Sequence, residues 1–478
     1  MRHDAYGWWI EDAWGLDPGL SSAEQLRSQA TPSLKGETDA RVVIVGGGFT
    51  GMWAALELLD EVPPDEIVLI DTFVCGTGPS GRNGGFCDSF VEASPRLIAQ
   101  FGVERAKGLV GESVANISEI GKWAESIGVD IAFKQAGQLI AATGDGQSVD
   151  AEEIVSAVAE LGLPSDTCRH LDSPAVGQLC GSPVVRDGLW LRDTATIHPG
   201  RLARALRGNL LSRGVRIHEL SEVVDVSSRS NGVEVRTASG GRVKALRGIL
   251  SAGAESIGFR GLRCETTLTS SHIVMTAPAP DLIHKIGWKD GLAVTDARYL
   301  VHYFRTTDEG RLLFGWGGGR IGYGPKARKR ESLDAAVIDQ CIKDLKYIFP
   351  SLSGVPIERA WGGPIDASPV HMPAIREFAN GWVAAFGYTG NGVGPSRICG
   401  RAMADISLGA FPPNGPAAPL VLGSPTRVPP EPLRWLGGNV IRAGIDSVER
   451  AGEVGRRPGR VAALAAGLPG RLGYRIGR

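Results

Sequence analysis

Six residues, Gly46-Gly47-Gly48-Phe49-Thr50-Gly51, stand between an apolar run, Arg41 to Val45, and a helical pattern in Met52, Ala55, Leu56 and Leu59. Their types suit a phosphate cradle. Gly46 permits a tight turn, Gly48 lets backbone approach a pyrophosphate, and Gly51 lets the helix sit close to the strand. Phe49 and Thr50 open a helix whose N-terminus carries about +0.5 of a charge, which favours an anion. A second apolar run, Ile67 to Ile70, ends at Asp71, whose carboxylate can accept hydrogen bonds from a ribose hydroxyl pair. Strand, glycine turn, helix and strand together make a dinucleotide fingerprint, which by itself suits FAD and NAD alike.

Two further segments lean toward a flavin. Ser80-Gly81-Arg82-Asn83-Gly84-Gly85 packs three glycines, a hydroxyl, a guanidinium and an amide into six residues. Such a loop suits a polar planar group or a second phosphate oxygen; an ordinary surface loop is the other reading. Gly387 to Pro395 follows the apolar run Trp382 to Phe386 and contains Gly390-Asn391-Gly392-Val393. Pro395 is expected at the first position of a following helix. Backbone N–H groups and a helix N-terminus there can stabilise charge at a reduced flavin. A structural strand-to-helix turn is the alternative.

These pieces need a frame to position them. Arg41 to Val45 and Ile67 to Ile70 read as buried parallel strands joined by a right-handed crossover. A helix from Pro199 to Ser212, strands at 215–218, 232–237, 242–246 and 248–252, and the run at 382–386 continue the α/β pattern. Residues 299–305 and 311–316 read as a hairpin, with a helix expected over 332–348. That hairpin supplies Tyr299, His302, Tyr303, Arg305 and Trp316 as candidate pocket residues, His302 facing opposite to Tyr303 and Arg305. His302, Tyr303, Trp316 and Arg320 are the catalytic candidates, and Arg298, Arg305 and Arg320 can clamp a carboxylate bidentately. From Pro412 onward Pro and Gly are dense, and residues 431–478 hold nine arginines against four acids. Leu436, Val440, Ile441, Ile445 and Val448 there have helical spacing, expected to dock on the protein's own body. The Trp8, Trp9 and Trp14 cluster near the N-terminus is expected to do the same.

Composition narrows the classes. The chain has 478 residues and a formal net charge of −1, which gives no global basic field for nucleic acid. The eight histidines show no metal-ligand spacing. Seven scattered cysteines, without a C-x-x-C pair, argue against a disulfide framework and fit a reducing cytoplasm. No signal peptide is seen, and the longest uncharged apolar stretch, Val42 to Leu56, is too short to span a bilayer.

The chain resembles the D-amino acid oxidase-like FAD-dependent oxidoreductases, the group of glycine and sarcosine oxidases. Within it the chain looks most like the γ-glutamylputrescine oxidoreductase type. VVIVGGGFTG with Asp71, SGRNGG, HPGRLARAL, ILSAGA, WGGPIDASP and GYTGNGVGPS carry the resemblance over about residues 1–410. It implies FAD lying extended, with loops like Ser80 to Gly85 and Gly390 to Val393 at the flavin, Val223 at the adenine, and Ala252 and Gly253 beside the dinucleotide. Two departures stand out: Asp71 where Glu is frequent, and Pro79 where a small residue is usual.

The implied fold is α/β: a doubly wound, Rossmann-like FAD domain of discontinuous segments (37–95, 190–262 and 360–410) with a smaller antiparallel-sheet substrate domain (96–189 and 263–359). Residues 1–36 form a lead and 411–478 a tail that lies outside every flavin-binding segment. The implied reaction oxidises the C–N bond of a small amine or amino acid, with dioxygen or another acceptor reoxidising the flavin. Two alternatives stay open: an FAD-dependent hydroxy-acid dehydrogenase using a base such as His302, and a flavin-stabilised interaction protein acting through its basic tail.

Overall fold

Strand Glu37–Val45 begins exposed and ends wholly buried, and it anchors a parallel sheet. In the computed structural model, which describes residues 1–3, 6–144, 147, 151–421, 426–453 and 455–476, its neighbours are Ile67–Ile70 and Arg242–Leu250. Arg216–His218 extends the sheet beyond Ile67–Ile70, and Trp382–Phe386 pairs with Arg242–Leu250, all parallel. The register sets Val45 beside Ile70 and Leu250, and Leu250 beside Ala384. Four chain segments therefore leave the sheet at nearly one level. The two strands expected at 242–246 and 248–252 are one, because Arg242–Leu250 follows Glu37–Val45 along its whole length. Val223–Arg229, Gly232–Thr237 and Ala374–Ala379 complete an eight-stranded sheet among the described residues.

A second sheet of nine strands, mostly antiparallel, is built largely from the intervening segments. Its centre runs Ile357–Ala367, Thr267–Thr276, Leu312–Trp316, His302–Thr306, Ala293–Asp296 and Gln138–Ala141. Segment 360–410 is thus split: Ile357–Ala367 belongs to this sheet, while Trp382–Phe386 and helix Val393–Leu408 pack with the first. The hairpin strands are shorter than expected, and helix Ala335–Ile348 starts later, capped by Asp334, whose side chain accepts from Val337 N.

Both termini fold back onto this frame. Helix Gly7–Trp14 packs on helix Pro199–Ser212, with Trp9 and Trp14 buried. Helix Leu433–Glu453 buries Ile441 and Ile445 in the hydrophobic core that also holds Phe304 and Trp316 of the nine-stranded sheet. Leu436 and Val440, expected on the same docking face, are half exposed instead. No helix among the described residues is long and apolar enough to cross a membrane.

Candidate active site

The segments leaving the parallel strands converge on one cavity of about 1430 Å³, larger than the roughly 300–1,000 Å³ of ordinary ligand pockets. Open α/β sheets bind ligands at the carboxyl ends of their strands, and this cavity begins there. Gly46 donates its N–H to Ile70 O at 2.9 Å. A Cβ on Gly46 would strike Ser251 O, and one on Gly51 would strike Gly46 O. Those two glycines let the turn, the neighbouring strand end and helix Phe49–Leu58 close onto one another. Gly48, Phe49 and Thr50 line the cavity; Phe49 N–H donates to Ser80 Oγ at 2.9 Å.

Asp71 lies on the same wall. Its carboxylate accepts from Gly47 N at 2.7 Å and from Phe73 N at 2.8 Å. Burial pushes its pKa up against the pull of those two donors. Each oxygen keeps a lone pair for a further donor. Val223, Ala252 and Gly253 line the cavity close by.

Ser80 to Gly85 departs from the expected loop. Pro79–Arg82 is a helical turn with Pro79 at its start. Asn83 Nδ2 donates to Ser80 O at 2.7 Å and its Oδ1 accepts from Gly85 N at 2.8 Å, so this amide shapes the segment. Ser80, Arg82, Asn83 and Gly84 line the cavity, whereas Gly81 and Gly85 do not. Those two are packing glycines: a Cβ on Gly81 would strike Gly76 O, and one on Gly85 would strike Ile197 O.

On the far wall, Gly390, Asn391, Gly392 and Val393 all face the cavity. Helix Val393–Leu408 starts two residues earlier than the proline predicts, with Gly392 as N-cap. Asp366 braces the loop, accepting Gly387 N–H at its carboxylate (2.6 Å) and Thr389 N–H at its backbone oxygen (3.1 Å). Burial raises the Asp366 pKa to about 6. Tyr388 OH lies 2.7 Å from Thr50 Oγ1, tying this loop to the fingerprint helix. Asn391 Oδ1 is buried with no hydrogen-bond partner.

Beneath the second sheet the cavity is lined by Tyr303, Ser271, Thr269, Gln138 and Tyr299. Ser271 Oγ donates to Trp316 O at 2.9 Å, so the Tyr303 phenol, 2.7 Å away, donates to Ser271. Burial pushes the Tyr303 pKa upward, and its ring covers Gly84.

Most charged candidates of the hairpin are engaged elsewhere. His302 is fully buried outside the cavity lining. Its Nδ1 meets Asp296 Oδ2 at 2.7 Å and its Nε2 meets Asp344 Oδ2 at 3.1 Å. Burial opposes its charge, but the two carboxylates prevail and its pKa is raised. Trp316 is buried against His302, also outside the lining. Arg320 pairs with Asp334 at 2.8 Å. Arg298 reaches the lining but is paired with Asp296 and Glu453. Arg305 donates to Ile197 O and Gly85 O and stands over Trp9. The expected clamp of Arg298, Arg305 and Arg320 is therefore not assembled.

Sequence reasoning missed Ser271, Asp366, Tyr388 and the tail. Leu433 to Ile445 and Leu468 to Ile476 contribute cavity-lining residues, although the tail was expected to lie apart from the site. The helical spacing of Ile441 and Ile445 was the available signal; it could not show what the helix covers.

A parallel sheet ending in a dinucleotide cradle, continued by a pocket beneath an antiparallel sheet, defines a two-sheet dinucleotide-dependent oxidoreductase. The chain belongs to the DAO family, FAD dependent oxidoreductases, which matches residues 41–406. It is 30% identical to a probable oxidoreductase OrdL of Rhizobium meliloti, over 82% of this chain and 89% of that protein. It is 28% identical to gamma-glutamylputrescine oxidoreductase of Escherichia coli, over 81% of this chain and 89% of that protein. Among solved structures it resembles glycine oxidase from Geobacillus kaustophilus, with a TM-score of 0.65 and 19% identity over 81% of this chain and 99% of that one. The protein is an FAD-dependent oxidoreductase, and the Gly48 edge and the helix N-terminus at Phe49 fit that cofactor.

Proposed function

We propose that the protein oxidises the C–N bond of a small amine or amino acid. FAD would lie from Val223, Asp71 and the Gly46–Gly51 turn toward Gly84 and the Gly390–Val393 loop. When bound, it supplies the acceptor for a hydride equivalent at its N5. The amine substrate loses that hydride and a proton, giving an imine that water hydrolyses to a carbonyl compound and a free amine or ammonia. Dioxygen or another acceptor then takes the electrons. The relatives named for putrescine and glycine chemistry support this substrate class, and the scattered cysteines fit a cytoplasmic setting.

The observation that carries the choice of amine over alcohol is the state of His302. An alcohol must shed its hydroxyl proton to a base as hydride leaves, whereas an amine reacts as its free base. His302 lies outside the cavity lining, and the carboxylates at both its nitrogens favour the doubly protonated ring. It cannot accept a substrate proton. Tyr303 and Ser271 shape the pocket roof, and Asp366 holds the Gly387–Thr389 turn.

The test is product stoichiometry in an anaerobic single turnover. One carbonyl product and one released amine or ammonia are expected for each flavin reduced. Flavin reduction by a hydroxy acid, with no nitrogen released, would overturn the reading.

A further inference from the structure

We propose that Arg442, on a helix beyond the family match, is the specificity-determining residue that binds an anionic group of the substrate, a carboxylate foremost. This rests on the oxidoreductase reading above and names which substrates it takes. Helix Leu433–Glu453 begins 27 residues after the family match ends at residue 406. Gly438, Ile441, Arg442 and Ile445 line the cavity from it, with spacings of three and four that put them on one face. A Cβ on Gly438 would come within 3.1 Å of Ile321, so the helix packs directly on that residue.

The helix is fastened at both ends. Arg434 donates to Arg263 O and Thr266 O, and Glu449 accepts the Tyr299 N–H at 2.6 Å. Glu453 pairs with Arg298. Arg442 is thus held in place as part of the cavity wall.

Its guanidinium is unsatisfied. Nε is buried with no hydrogen-bond partner. Nη1 reaches Gly318 O at 3.4 Å, longer than the roughly 2.7–3.2 Å of a good bond. Of the other cavity cations, Arg298 is paired with Asp296 and Glu453, Arg434 with Glu431, and Lys326 with Glu222. The acids nearest in charge to Arg442, Asp446 and Asp334, are paired with Arg450 and Arg320. Burial, reinforced by Arg320, pulls the Arg442 pKa down, the mark of a charge short of a partner. Ile321, Ile441 and Ile445 add apolar surface to the same cavity. A guanidinium on the cavity wall with one long backbone bond and no acid of its own attracts a carboxylate.

The test compares the holoenzyme with Arg442→Gln, using phenylacetate and its neutral isostere phenylacetamide, read by calorimetric Kd. Wild type should prefer phenylacetate, and the variant should bind it about 10- to 100-fold more weakly with phenylacetamide unchanged. Arg442→Lys, which keeps the charge and loses the fork, should show a smaller loss and serves if the glutamine variant fails to hold FAD. Unchanged phenylacetate binding in an FAD-loaded variant overturns the proposal, as does equal affinity of the wild type for acid and amide. Binding needs no turnover, so failure of the amine reading leaves this result standing by itself.

Discussion

The two ends of the cavity are built by different means. At the fingerprint end, backbone does the work: strand ends aligned by register, a helix N-terminus, and glycines where chain meets chain. At the other end side chains do it, and many charges are tied up in pairs that cross long stretches of sequence. Asp296, His302 and Asp344 form one such knot, and Glu449 and Glu453 bring the C-terminal helix onto it. The first kind of site is spelled in consecutive residues. The second exists only once the chain has folded.

The largest expected effect breaks the first end. Gly48→Val should yield protein without bound FAD, measured as flavin released on denaturation, because even a Cβ there lies 2.9 Å from Ser80 Oγ and projects into the cradle. A variant with full flavin content would place the cofactor elsewhere.

The next strikes the other end. His302→Leu leaves Asp296 and Asp344 without their shared cation, which costs about 3–5 kcal/mol for a broken buried pair. Denaturant titration should show that loss while FAD content is retained. The raised His302 pKa sets the sign with pH. Its stabilisation is full below the unfolded value of about 6.5 and fades as pH rises through the higher native value.

Gly392→Pro removes one N–H from the loop at Gly390 to Val393. A lost donor at comparable anion sites costs about 2.7–4 kcal/mol, or roughly 100- to 1,000-fold in rate. Flavin reduction should slow and the flavin potential should fall. Gly392→Ala is the control, since its Cβ would rest 3.5 Å from Tyr388 and keep the N–H. Equal slowing in both variants would assign the effect to packing.

The smallest concerns Asp366, whose pKa is raised from 3.8 to about 6 by burial. Between those values the native state holds more protons than the unfolded one. Stability should therefore fall by about 2 kcal/mol as pH rises from 4 to 6 and level off only above about pH 7. Asp366→Asn should flatten that slope in a series of melting curves; an unchanged slope would assign the titration to another group.

This contrast explains what was legible in the sequence. GGGFTG, Asp71 and the buried runs are local patterns with a period or a fixed offset, and Val45 to Thr50, Ile70 and Asp71 of them line one cavity. Arg298, Arg305 and Arg320 looked equally available because an arginine's partner is invisible until Glu453, Gly85 or Asp334 is brought beside it. The same holds for the tail. Ile441 and Ile445 announced a docking face, but only tertiary packing puts Arg442 on the cavity wall. Ser80 to Gly85 reads as a loop throughout, whereas Pro79 starts a helical turn that runs to Arg82.

Anaerobic mixing of the purified holoenzyme with a matched panel of amines, amino acids and hydroxy acids tests the central claim most directly. Bleaching of the flavin by amines or amino acids, and by none of the hydroxy acids, is the predicted result. Bleaching by any hydroxy acid would contradict the account, because a base other than His302 would then have to serve at the pocket.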